Sequence, residues 1–291
     1  MLINNDYSQK YKKAMGAYFS TQAEIWTDYY KHDDAGGMLK QEVVKRRDTV
    51  LYLLDKHTPP GPLDILDIGC GAGMLMKDML ERGHRVMGMD ISLEMVKQTQ
   101  KNTAHFPADQ KKIFQGDMEN KSFQGGTFDC ITCVGVLEYQ EDDRKSLTEI
   151  CRVLKTGGLL LLTLPNLLRI RNLLDPYYYM VLLPKLVRKM YRKARPGSID
   201  IVEAFKQNKT FTNKKYLYGR AKGSFDSCGL ELRECICIGY WPPTIWRKNL
   251  LPREGAIKVS NYIENWPEGR NLPFFNWLAN RWVFCLQKGV K

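Results

Sequence analysis

Nine residues constrain this chain more than any others: Ile65-Leu66-Asp67-Ile68-Gly69-Cys70-Gly71-Ala72-Gly73. They read as a short apolar strand that ends in an acid, turns through three alternate glycines and enters a helix at about Met74. Glycine lets the backbone turn sharply and lie close to a ligand, because no Cβ fills the gap. The helix N-terminus beyond it offers unpaired N–H groups. Spacing then narrows the ligand. The dinucleotide fingerprint Gly-x-Gly-x-x-Gly wants glycine where Met74 stands. A phosphate loop needs a Gly-Lys-Ser/Thr ending, and none follows.

From Asp64 the pattern alternates strand and helix, as a parallel sheet requires. The expected strands are Asp64–Gly69, Arg85–Asp90, Lys112–Gln115, Phe128–Val134 and Leu159–Leu164, with Trp282–Gln287 closing the series. Expected helices fall at about Met74–Arg82, Ser92–Thr103 (Ser92 as N-cap) and Asp143–Leu154, with Lys155-Thr156-Gly157-Gly158 as a turn. Upstream, residues 7–55 read as helical, broken at Asp33-Asp34-Ala35-Gly36-Gly37 and stopped by Thr58-Pro59-Pro60-Gly61-Pro62. Asp90 ends the second strand, where an acid can accept both hydroxyls of a nucleoside ribose.

Four motifs in this order, Asp67/Gly69/Gly71/Gly73, Asp90, Gly116-Asp117 and Phe128-Asp129…Gly135-Val136-Leu137-Glu138, resemble the class I S-adenosylmethionine-dependent methyltransferases, in particular the ubiquinone/menaquinone-type small-molecule enzymes. The resemblance covers residues 64–166 and extends loosely to 211–237. It implies an α/β, Rossmann-like, seven-stranded and mostly parallel sheet whose last strand is antiparallel. A helical N-terminal cap (1–60), a cofactor-binding half (61–166), a basic, aromatic insertion after strand five (167–210) and a C-terminal half (211–291) with a second insertion at 241–281 would complete it. It implies S-adenosyl-L-methionine as cofactor, with no metal. Asp67, Gly69, Cys70, Gly71 and Gly73 would form the turn, Asp90 and Ile91 would meet the ribose end, and Met95 would face the adenine. Asp117 would accept from the adenine amino group, with Met118 and Cys133 completing the set.

The acceptor side is less constrained. Relatives often carry His after the Glu that closes the fourth-strand motif, and Tyr139 stands there instead. Glu138, Tyr139 and His32 are the catalytic candidates. His57, His84 and His105 each precede a strand, at the opposite edge of the sheet from the site. Tyr18, Trp26, Tyr177 and Tyr178 are candidate acceptor linings. The run Glu141-Asp142-Asp143 reads as a solvated helix start rather than a metal site.

Charge adds a partner question. Residues 1–166 carry 21 Lys/Arg against 23 Asp/Glu, and residues 167–291 carry 23 against 9. Much of that excess sits in a basic amphipathic stretch, 183–193, whose apolar side can dock on the core, lie on an anionic membrane surface or meet an acidic partner. Nucleic acid ranks below a small or lipid-like acceptor, since no nucleic-acid-binding module accompanies the charge. No signal-peptide pattern opens the sequence and no apolar run is long enough to span a bilayer. The eight scattered cysteines fit buried thiols of a reducing compartment, so a cytoplasmic location is expected, with room for a peripheral contact at the inner membrane face.

Overall fold

A computed structural model describes residues 2–29, 38–120, 123–140, 142–170, 175–176, 180, 214–240, 244–245, 248–265 and 278–289. His32, Tyr177, Tyr178, the 183–193 stretch and most of the first insertion lie outside the described residues.

Three helices come first: α1 (Leu2–Ser20), α2 (Ala23–Tyr29) and α3 (Met38–His57). The alternating core follows as β1 (Asp64–Ile68), α4 (Met74–Glu81), β2 (Arg85–Asp90), α5 (Leu93–Asn102), β3 (Lys111–Gln115), β4 (Phe128–Cys133), α6 (Asp143–Val153) and β5 (Leu154–Pro165). Helix α7 (Tyr218–Ser227) leads into β6 (Leu230–Ile238). A small hairpin, β7 (Thr244–Ile245) and β8 (Lys248–Asn249), and helix α8 (Arg253–Asn265) precede β9 (Arg281–Lys288). The main sheet has seven strands in the order β3-β2-β1-β4-β5-β9-β6. β9 runs antiparallel between β5 and β6, pairing Leu164 with Trp282 on one side and Cys237 with Trp282 on the other.

Alternation along the central strands feeds two cores. Leu66, Ile68, Ile131, Leu160, Leu162 and Phe284 face one side and pack with Leu147, Ile150 and Phe225 of α6 and α7. Ile65, Cys130, Leu159, Leu161 and Val283 face the other, against Val50 and Leu54 of α3 and Met76 and Met79 of α4. A sheet covered on both faces needs near-continuous apolar strands, as Leu159–Leu162 shows. Local chemistry sets the helix starts. Ser92 accepts from the Met95 N–H, and Asp142 accepts from the N–H groups of Arg144 and Lys145.

The expected turn at 155–158 is instead strand. Leu154 pairs with Phe128, so β5 begins five residues early and passes through the glycine pair. A Cβ at Gly158 would lie 2.9 Å from the Asp129 carbonyl oxygen, which explains a glycine inside a strand. Asp142 and Asp143 do start α6, with Asp142 as its cap and Asp143 bonded to Lys214. His84 accepts from the Leu63 N–H at the amino-end edge of the sheet, and His57 meets Glu234 of β6. All eight cysteines are free thiols. In the second insertion, α8 joins the carboxyl end of β6: Glu264 accepts from the Gly239 N–H and Ser260 from the Tyr240 N–H. Thr244 donates to Asp175, a contact between the two insertions. No described helix is long and apolar enough to cross a membrane.

Candidate active site

The three glycines after β1 all have positive φ, at 69°, 56° and 80°, yet they do different things. A Cβ on Gly69 would sit 2.2 Å from Val136 Cγ2, so this glycine lets the turn after β4 close against the turn after β1. A Cβ on Gly73 would sit 2.6 Å from Thr99 Cγ2, so this one seats α5. A Cβ on Gly71 would meet nothing within 4 Å. Its open side belongs to a cavity of about 350 Å³ along the carboxyl edge of the sheet, a volume within the range of small-molecule sites.

Asp90 organises this end. Its Oδ2 accepts from the Gly71 N–H at 3.0 Å and its Oδ1 from the Ser92 N–H at 2.8 Å. Burial pushes its carboxyl up from the usual range, while those backbone donors pull the other way. Thr99 Oγ1 donates to the Gly71 carbonyl and Asn102 Nδ2 to the Ala72 carbonyl, so α5 also fixes the turn. Asp67 is almost wholly buried. Its Oδ1 accepts from Thr132 Oγ1 at 2.6 Å, and its Oδ2 has no hydrogen-bond partner among the described residues. Burial raises its pKa to about 7, opposed by the Thr132 bond and aided by Asp90. A buried acceptor left open is expensive unless a bound donor meets it.

Nine of the eleven expected cofactor residues line the cavity: Asp67, Gly69, Cys70, Gly71, Asp90, Ile91, Met95, Asp117 and Met118. Gly73 is turned to Thr99. Cys133 does not reach the cavity either, because strand alternation sends its side chain into the core, 1% exposed. Asp117 is engaged from α1: its Oδ2 accepts from Lys12 Nζ at 2.5 Å, and Lys12 also reaches Glu119 at 2.8 Å. Burial works against the Lys12 charge, but these two carboxylates outweigh it and raise its pKa.

The other end is walled by Tyr18, Phe19, Trp26 and Tyr139. Phe19 and Tyr139 meet edge to face with centroids 5.3 Å apart. Burial, then Glu138, raises the Tyr139 pKa, so its hydroxyl stays protonated near neutrality. Beside it lies a buried ion triad. Arg281, the first residue of β9, donates from Nη1 to Glu138 Oε1 at 2.7 Å and from Nε to Glu42 Oε1 at 3.0 Å. Asn280 donates to the other Glu42 oxygen. Burial alone would lower the Arg281 pKa, yet the two carboxylates raise it. Glu138 Oε2 has no partner among the described residues, although the side chain is only 1% exposed and lines the cavity. The turn carrying it is pinned by Lys214, whose N–H meets the Glu138 carbonyl, and by Tyr216, whose hydroxyl meets the Leu137 carbonyl.

Motif reading missed Lys12, Glu42, Arg46 and Arg281, all of which line the cavity. Arg281 had a signal: the first residue of an antiparallel strand lies at the carboxyl edge of its parallel neighbours. Glu42 and Arg46 are four apart on α3, on one face beside the apolar stripe of Val43, Val50 and Leu54, and an acid and a base there suit either solvent or a site. Among the described residues, no three His, Cys, Asp or Glu side chains gather as metal ligands would.

Residues 66–162 match the methyltransferase domain family. Over those residues the sheet order and the glycine turn agree with the match, and the arrangement is that of a class I S-adenosylmethionine-dependent methyltransferase fold. Among particular relatives, the chain is 36% identical over 105 residues to an uncharacterised 37.1 kDa protein of transposon TN4556 from Streptomyces fradiae, covering 35% of this chain and 30% of that one. It is 30% identical over 116 residues to the ubiquinone biosynthesis O-methyltransferase of Xanthomonas axonopodis pv. citri, covering 40% of this chain and 48% of that one. The chain thus spans less than half the length of these curated relatives. Among solved structures, magnesium protoporphyrin IX methyltransferase from Synechocystis PCC 6803, with bound S-adenosylhomocysteine, is 15% identical with a TM-score of 0.57, covering 96% of this chain and 100% of that one. The [4+2]-cyclase SpnF is 13% identical with a TM-score of 0.58, covering 95% and 96%. At these identities the likeness concerns the fold alone.

Proposed function

We propose that this chain methylates a small, hydrophobic or amphipathic organic acceptor, at oxygen in preference to nitrogen or carbon, with S-adenosyl-L-methionine as donor. One observation carries the reading: a single cavity joins the glycine turn and Asp90 to an aromatic end holding Glu138 and Tyr139. When bound, the donor supplies a methyl group already activated by positive sulfur, so the protein must chiefly align the acceptor and exclude water. Asp90 would take the ribose hydroxyls, and Gly71 leaves the space beside it. Asp67 Oδ2 is the buried acceptor suited to a cationic amino group. Met95 and Ile91 give the adenine an apolar seat, and Asp117 lies beside it in the grip of Lys12. Tyr18, Phe19 and Trp26 shield the acceptor. A hydroxyl acceptor must give up its proton, and Glu138 is the carboxylate placed to take it.

Calorimetry with S-adenosylhomocysteine and NAD tests the binding half of this reading, with tight binding of the first and none of the second expected. Release of S-adenosylhomocysteine with a panel of phenols, amines and carboxylates tests the transfer half. A second reading, ligand binding without methyl transfer, draws support from the fold's likeness to a chain described as a cyclase. Binding of S-adenosylhomocysteine with no turnover on any acceptor class would favour it. The basic 183–193 stretch would bring the enzyme to an anionic surface of the cytoplasm, where hydrophobic acceptors reside. Residues 167–195 hold eight Lys/Arg and one Asp, and each cation contributes about 1 kcal/mol near an anionic leaflet. Sedimentation with anionic vesicles should fall steeply with salt and should drop when Arg188, Lys189, Arg192 and Lys193 become Gln. Equal sedimentation with neutral vesicles would defeat it.

A further inference from the structure

The Glu42–Arg281–Glu138 triad joins three distant parts of the chain, and its geometry is lopsided. Both Glu42 oxygens are engaged, one by Arg281 and one by Asn280. Only one Glu138 oxygen is; the other is buried without a partner among the described residues, on a side chain that is 1% exposed and belongs to the cavity wall. A buried carboxylate oxygen without a donor is costly. The surroundings do not let Glu138 turn to relieve it. The Arg281 fork is fixed by Glu42 on its other arm, and a planar guanidinium directs its N–H groups at set angles. The turn itself is tied by Lys214 and Tyr216.

We infer that Arg281 and Glu42 are positioning residues that hold Glu138 Oε2 as the docking point for a proton-bearing group, a hydroxyl or an amine, on the acceptor. The inference rests on the methyltransferase reading above and sharpens its acceptor class. A carboxylate or phosphate at this point would face an unpaired carboxylate oxygen across a poorly screened gap, so anionic groups are excluded there. Val136 packs onto Gly69, which brings the turn carrying Glu138 against the turn after β1. The docking point therefore sits at the aromatic end on a turn packed against the turn after β1, the side from which a group projecting from a bound donor would approach it.

That reach supplies a test that needs no known acceptor. Sinefungin is S-adenosylhomocysteine with an amine-bearing carbon in place of the sulfur, so it carries a cationic donor where the transferable methyl would be. Calorimetry on the full chain should show sinefungin binding on the order of tenfold tighter than S-adenosylhomocysteine, the worth of one charge-assisted hydrogen bond at 1.4 kcal/mol per decade. Glu138→Gln should erase the preference while leaving S-adenosylhomocysteine affinity within about twofold, an interval well below that decade. Glu42→Gln, which keeps the shape but turns one of the two acceptor oxygens into a donor, should cut the preference to about threefold by loosening the fork. Arg281→Lys keeps the charge without the fork and should do the same. A merely structural role would move both affinities together. Equal affinity for the two ligands in the wild type, or a preference that survives Glu138→Gln, overturns the proposal. Absence of any S-adenosylhomocysteine binding in the wild type instead overturns the methyltransferase reading beneath it.

Discussion

The two ends of the cavity are built by different means. At the glycine-turn end, Asp67, Gly71, Asp90 and Thr99 come from one continuous stretch, β1 to α5, and most of their bonds run through backbone N–H and C=O groups. At the aromatic end, one guanidinium ties residues 239 and 143 positions away, on a helix that precedes the sheet and a turn in its middle. The first end is local geometry and tolerates changes elsewhere in the fold. The second exists only when the whole sheet is assembled. Perturbations should therefore separate ligand affinity from stability at one end and merge them at the other.

The largest effect should come at the assembled end. Arg281→Met leaves Glu42 and Glu138 buried without their cation, and removing one partner of a buried ion pair costs about 3–5 kcal/mol. Urea titration should show that loss with an unchanged slope. A loss below about 1 kcal/mol would mean that the triad is solvated and the contrast false. Next comes Asp90→Ala, which deletes a buried acceptor of two backbone N–H groups and the ribose contact proposed for it. A charge-assisted bond is worth about 1.5–3 kcal/mol, so S-adenosylhomocysteine affinity should fall more than about tenfold, read by calorimetry. The glycines sharpen the contrast within one turn. Gly69→Ala drives a methyl into Val136 and should destabilise the fold by about 1–3 kcal/mol beyond the backbone cost. Gly71→Ala meets only open space, so it should carry just the left-handed backbone cost of about 1–2 kcal/mol while blocking ligand.

The smallest effect on ligand affinity is a pH dependence. Asp67 is raised from 3.8 to about 7 in the fold, so the protonated form is favoured there. Its contribution to stability is complete below pH 3.8 and is lost as pH rises to about 7, by at most about 1.4 kcal/mol per pH unit. A bound ammonium facing Asp67 favours the ionised form, so S-adenosylhomocysteine affinity should rise between pH 6 and 8. Asp67→Asn should flatten that rise. A flat profile in the wild type would place the amino group elsewhere.

The glycine-turn end was legible because its spacing is short-range. Three alternate glycines and an acid at the end of the next strand name their places without reference to the rest of the fold. Gly73 and Cys133 show the limit of that reading: both sit inside motifs, yet one packs against Thr99 and the other into the core. A motif gives position along the chain and leaves the direction of the side chain to the pleat. The strand at Trp282–Gln287 was legible as an antiparallel closure and extends one residue further at each end. Arg281 was passed over because its chemistry depends on where Glu42 and Glu138 finish in space. The turn expected at 155–158 failed for a related reason, since Leu154 and Phe128 pair across the sheet and override local glycine propensity.

The place of β9 also bears on the order in which such a chain is made. It is the last strand of the sheet to leave the ribosome, yet it lies between β5 and β6, and β6 pairs with no other strand among the described residues. Until residue 281 emerges, β6 lacks the strand it pairs with and Glu138 lacks the guanidinium that holds it. A chain interrupted before that point would keep the nucleoside half of its site almost complete and still hold its sheet open. Cellular proteases and chaperones would meet it as an unfinished molecule, and the same arginine that aims Glu138 would mark the moment at which it stops being one.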